Sequence, residues 1–85
     1  MRTFDEFEEQ VVIPKITDQF RESPEGVTVD FIHTLLFMHG VVVHRERVER
    51  ILDELSAANL CERQEEPDVT FYIPNAFLYS PALAI

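Results

Sequence analysis

The side chains able to do chemistry are few, and their spacing favours little of it. The histidines are His33, His39 and His44, and the one cysteine is Cys61. His39 and His44 stand five apart across a predicted helix break, and no Cys-x-x-Cys or His-Glu-x-x-His spacing occurs. A zinc site can be imagined only from His44, Cys61 and a carboxylate, and no metal is expected. Gly26 and Gly40 are the only glycines, which leaves no Gly-rich loop to cradle a phosphate. Ser23, Ser56 and Ser80 lack the setting of a nucleophile, and nothing sets one carboxylate apart from another as acid or base. The expectation is a protein that is not an enzyme and that holds no cofactor.

Charge is the chemistry that remains. Sixteen Asp and Glu against seven Lys and Arg give a formal net charge of −9. Residues 1–26 carry −4, 27–43 carry −1, 44–68 carry −4, and 69–85 carry none. Phosphate contacts dominate nucleic-acid affinity, yet no segment is net positive. The cations instead concentrate as Arg45, Arg47, Arg50 and Arg63 within one stretch, His44 to Arg63.

That stretch must be positioned by a helix. Val48, Leu52, Leu55 and Leu60, widened by Ile51, keep one face apolar, while Arg45, Glu46, Glu49, Arg50, Asp53 and Glu54 take the other. Asn59, able to adopt the left-handed conformation, closes it. On the wet face Arg45–Glu49, Glu46–Arg50 and Arg50–Glu54 stand one turn apart, each pair contributing roughly 0.2–0.5 kcal/mol and partly neutralising the face.

Upstream, Thr3 and Glu6 have capping-box spacing. Phe4, Phe7 and Val11 follow on one face, with Asp5, Glu6, Glu8 and Glu9 on the wet side. Pro14 predicts a helix of about residues 3–12 that kinks there and continues to Glu22 through Ile13, Ile16 and Phe20. Ser23-Pro24-Glu25-Gly26 reads as a turn, and Val27-Thr28-Val29 as a short strand. Asp30 is the predicted cap of a second helix running to about His39, with Ile32, Leu35, Leu36 and His39 inward and Gly40 as its stop. After Cys61, which alternation places in a strand as a buried, inert thiol, residues 64–68 read as a hairpin loop. Val69 to Ile73 is the return strand, ended by Pro74. The tail from Asn75 to Ile85 has no charge.

From Val27 to Ile73 this pattern resembles the winged helix-turn-helix superfamily. Val27-Thr28-Val29-Asp30, Leu35-Leu36, Arg47-Val48, Leu52, Leu55, Ala58, Leu60 and Arg63 carry the resemblance. It implies an α+β fold: a small winged-helix domain of three main helices, the first kinked at Pro14, with a short β-hairpin wing. One domain of 85 residues is expected, with an N-terminal helical segment (1–26), a winged-helix core (27–73) and an apolar tail (74–85). Members commonly set the third helix in the DNA major groove, which would turn His44, Arg45, Arg47, Arg50 and Arg63 toward DNA or another partner. Glu65-Glu66-Pro67-Asp68 at the wing tip would repel phosphates instead.

Two functions follow as expectations. The first is an interaction module in transcription or nucleoprotein machinery, acting through its acidic surface and apolar termini. Phe4, Phe7, Val11, Phe77, Leu78 and Tyr79 are then the association surface, with a homodimer as the natural outcome. The alternative is a dimeric DNA-binding regulator using the third helix. The N-terminus has no apolar segment behind a basic start, and no run reaches the ~18 apolar residues of a membrane span. A soluble, cytoplasmic protein without membrane contact is expected.

Overall fold

The structure, a computed structural model, describes residues 4–75. A π-helical turn, Glu8–Val12, runs directly into helix α1, Ile13–Glu22. Helix α2 spans Val29–Met38 and helix α3 spans Arg45–Ala57. Strands β1, Cys61–Glu65, and β2, Thr70–Pro74, pair antiparallel, with Cys61 opposite Pro74 and Glu65 opposite Thr70. The fold is α+β, three helices followed by a two-stranded hairpin, in a winged-helix-like layout.

Pro14 does not break the first helix. The Ile13 amide donates to the Glu8 carbonyl, five residues back, and this wider turn relieves the crowding between a proline ring and the preceding carbonyls. Pro14 then sits in the first turn of α1, where a missing N–H costs little. One consequence is a shifted face. Val12, Ile16 and Phe20 are buried four residues apart, and the same row begins at Glu8. Glu8, placed on the wet side by the sequence pattern, is therefore a core-facing carboxylate.

Capping corrects two further expectations. The reciprocal bonds at the start of the first helix join Asp5 and Glu8: Glu8 N donates to Asp5 Oδ1 at 2.8 Å, and Asp5 N to Glu8 Oε1 at 3.2 Å. Thr3 of the predicted box lies outside the described residues. The cap of α2 is Thr28, whose Oγ1 accepts from Phe31 N at 3.0 Å, and Asp30 lies in the first turn. The predicted strand at 27–29 reduces to one residue, Val27, which exchanges both backbone hydrogen bonds with Tyr72. With Thr28 needed as a cap, the chain turns into α2 before it can pair further.

Both later helices close on left-handed residues. Gly40 (φ 80°) ends α2, with Val41 N on Leu36 O at 2.8 Å, and Asn59 (φ 63°) ends α3, with Leu60 N on Leu55 O at 3.0 Å. His39, expected inward, stands exposed in the closing turn of α2. Val12, Ile16, Phe20, Ile32, Leu36, Val48, Ile51, Leu52, Leu55 and Tyr72 form the centre of the core. Each large apolar side chain there contributes roughly 1.5–3 kcal/mol. Burial thus holds the elements together, and polar contacts decide which faces meet. Among the described residues no helix is long and apolar enough to cross a membrane.

Candidate functional site

The arginines expected on α3 and the wing are all engaged with carboxylates of their own chain. His44 is the extended residue before α3; its carbonyl accepts from Arg47 N and Val48 N, but its exposed ring caps nothing. Arg45 reaches across to α2, with Nε 2.6 Å from Asp30 Oδ1. That hydrogen bond and the Arg45 charge hold the Asp30 carboxyl below its ordinary range, and the same bond with the Asp30 charge pushes the Arg45 guanidinium up.

Arg47 and Arg50 converge on the first helix. Arg47 Nε donates to Glu8 Oε2 at 2.7 Å and its Nη2 to Asp5 Oδ2 at 2.6 Å. Arg50 Nη2 donates to the same Glu8 oxygen, while its Nη1 donates to Glu54 Oε2 at 2.9 Å. The Glu8 side chain is only 1% exposed, so one buried carboxylate takes two guanidiniums. Hydrogen bonding to Glu8, followed by the Glu8 and Asp5 charges, raises the Arg47 pKa. The Arg47 guanidinium also lies over the Phe7 ring, 5.4 Å from its centroid. Of the three within-helix pairs expected on α3, Arg50–Glu54 forms as an ion pair. Arg45 goes to Asp30 instead of Glu49, and Arg50 takes Glu8 as its second carboxylate.

Arg63 does the same work on β1. Its Nε lies 3.2 Å from Asp53 Oδ1 and 3.4 Å from the Tyr72 hydroxyl, and its Nη1 2.8 Å from Glu65 Oε1. The Tyr72 hydroxyl donates to Asp53 Oδ1 at 2.6 Å. Burial, then this bond to a carboxylate, pushes the Tyr72 pKa up to about 12. Burial also pushes the Cys61 thiol up to about 11, helped by the Asp53 charge, so it is protonated and inert near neutrality. Its Sγ is directed at the Leu52 carbonyl.

Between α3 and the wing tip lies a cleft of 310 Å³ whose lining includes Asp30, Glu49, Glu66 and Asp68, with Arg45 as its one cation. The cleft is acidic. Among the described residues no cluster of three or more His, Cys, Asp or Glu can hold a metal ion.

The expected association surface divides. Phe4 and Val11 are partly buried against the core, Phe7 is exposed beneath Arg47, and Phe77, Leu78 and Tyr79 lie outside the described residues. An apolar surface not anticipated from the sequence lies at the outer side and C-terminal end of α2: Phe31, Phe37, Met38 and Val42. Its signal was available, because a helix reading Val-Asp-Phe-Ile-His-Thr-Leu-Leu-Phe-Met has only Asp30, His33 and Thr34 as polar residues, too few to cover the side it turns to water. No protein-family model, no curated protein and no solved structure matches this chain.

Proposed function

We propose that the chain is a non-enzymatic winged-helix module that works by protein–protein contact in transcription or nucleoprotein machinery. One observation carries this reading. Arg45, Arg47, Arg50 and Arg63, the cations that a winged-helix protein would present to DNA, each already hold a carboxylate of their own chain. Binding a phosphate would mean breaking those pairs, two of them on a buried acid that would be left without a counterion. The acidic cleft beside α3 suits a basic protein surface better than a polyanion.

The alternative is a DNA-binding regulator, and the exposed His44 and Arg45 at the start of α3 are what favour it. Titration against mixed duplex DNA at several salt concentrations separates the two. The protein-contact reading expects no binding at about 50 mM salt, where phosphate contacts are strongest. Binding that falls steeply with added salt, and that Arg45→Ala with Arg47→Ala abolishes without unfolding the chain, would establish the regulator in its place.

A further inference from the structure

Strand β2 has one edge that the fold leaves partly open. Val27 exchanges both backbone hydrogen bonds with Tyr72, so Tyr72 turns its N–H and C=O away from β1. In an antiparallel ladder every second residue does the same. The bonds that Glu66 and Val69 exchange at the turn, and the one from Asn75 N to Leu60 O at the other end, fit that phase. Thr70, two residues before Tyr72, therefore presents its N–H and C=O on the edge that Val27 occupies. The chain leaves this edge at Thr28, which caps α2. Among the described residues neither group of Thr70 has a hydrogen-bond partner.

Thr70 also lines the acidic cleft between α3 and the wing tip. Asp30 there holds Arg45, while Glu49, Glu66 and Asp68 hold no ion pair among the described residues. Nor can these carboxylates gather around one metal ion. Anions dispersed beside an open strand edge suit cations spaced along an extended chain.

Resting on the protein-contact reading above, we propose that this edge is a strand-addition site. An extended basic segment of a partner protein pairs antiparallel with β2 at Thr70, in line with Val27, and sets alternate lysine or arginine side chains among Glu49, Glu66 and Asp68. Backbone pairing supplies affinity, and the carboxylates select the sequence. The face is fixed too. The Tyr72 side chain points to Asp53 of α3, Thr70 lies on that same face, and so does the residue set opposite Thr70. The partner residues whose backbone bonds to β2 are thus the ones whose side chains turn toward α3 and Glu49.

Fluorescence anisotropy tests the proposal with a labelled peptide of about ten residues, alternating lysine and threonine, and the full chain at about 0.15 M salt. Saturable binding is expected. Methylating the backbone nitrogens of the lysines should weaken it by about 10-fold, because those N–H groups face β2. Methylating those of the threonines, which face away, should change it by less than about 2-fold. Thr70→Pro, which removes the outward N–H and no ladder bond, should weaken the unmodified peptide by about 10-fold. Glu66→Gln with Asp68→Asn should do the same, whereas Glu22→Gln with Glu62→Gln, removing as much charge elsewhere, should change binding by less than about 2-fold.

No saturable binding would overturn the proposal. Equal weakening by the two methylations, or a Thr70→Pro chain that binds like the parent, would mean that charge alone holds the peptide and would overturn strand addition. Equal losses in the two charge variants would put the peptide outside the cleft and overturn the site. Duplex DNA separates this proposal from the reading it rests on. A chain that binds neither peptide nor duplex refutes the strand site and leaves the protein-contact function standing. One that binds the peptide as expected, and a duplex as well, does the reverse.

Discussion

Glu8 is the residue on which three parts of the molecule meet. Its backbone amide is capped by Asp5, its carbonyl closes the π turn, and its carboxylate takes Arg47 and Arg50 from α3. Removing its charge while keeping its shape should be costly, because the two guanidiniums lose an anion and the new amide turns an N–H₂ toward donors. Glu8→Gln is expected to lower unfolding stability by about 2 kcal/mol, the range for charged hydrogen bonds at a buried site. Glu8→Leu should cost less, since it continues the row through Val12, Ile16 and Phe20 and leaves both arginines able to reach water. Urea unfolding of the two variants beside the parent checks this, and a Gln variant as stable as the parent would show that the pair is screened despite its burial. Half of this site could be read from the sequence: the i, i+4 row and the Asp-x-x-Glu spacing are both in plain view. What concealed it was the turn before Pro14. A uniform 3.6-residue repeat through that turn puts Phe4, Phe7 and Val11 inward and Glu8 in water; instead Glu8 is buried, Phe7 is exposed, and Phe4 and Val11 are only partly covered.

At the scale of elements, the locally determined features were legible and the shared ones were not. Asn59 and Gly40 end their helices because a left-handed residue is a property of the chain itself. The cap of α2 is Thr28, itself a preferred capping residue, while Asp30 in the first turn accepts from Arg45, fifteen residues away, a partner that no local pattern reports. The β-hairpin shows the same dependence. It is fastened to α3 through the Tyr72–Asp53 bond and the buried Cys61, and burial raises the pKa of both titrating groups. The sign follows from linkage. A folded-state pKa above the ordinary value means the folded form holds its proton longer, so the stabilisation is complete below the ordinary pKa and is lost as pH rises through the raised one. Stability should therefore decline between pH 9 and about 11 through Cys61, and between pH 10 and about 12 through Tyr72. Thermal unfolding measured from pH 8 to 12 should follow that decline, and Cys61→Ala should delay its onset toward pH 10. A melting temperature flat to pH 11 in the parent chain would refute the coupling.

For the whole molecule, the deciding quantity is the charge of −9 set against a radius of gyration of 12.5 Å. At that size every charge lies within a Debye length or two of most others at about 0.1 M salt, whereas at about 1 M the screening length of roughly 3 Å isolates them. Screening therefore removes two opposed effects, the mutual repulsion of the acids and the attraction within the ion pairs. The exposed pairs, Arg21–Asp18 and Arg45–Asp30, have little to lose, since such contacts contribute about 0–1 kcal/mol. The pairs on buried Glu8 are shielded from salt by their surroundings. Repulsion, spread over the whole surface, is what salt relieves most. The melting temperature should accordingly rise by about 5 °C between 0.05 and 1 M sodium chloride, corresponding to about 1 kcal/mol for a chain of this length. Chloride is the appropriate salt because sulfate would add its own strengthening of apolar burial. A melting temperature that falls with salt would reverse the ranking, making the arginine pairs the dominant electrostatic effect and the net charge a minor one.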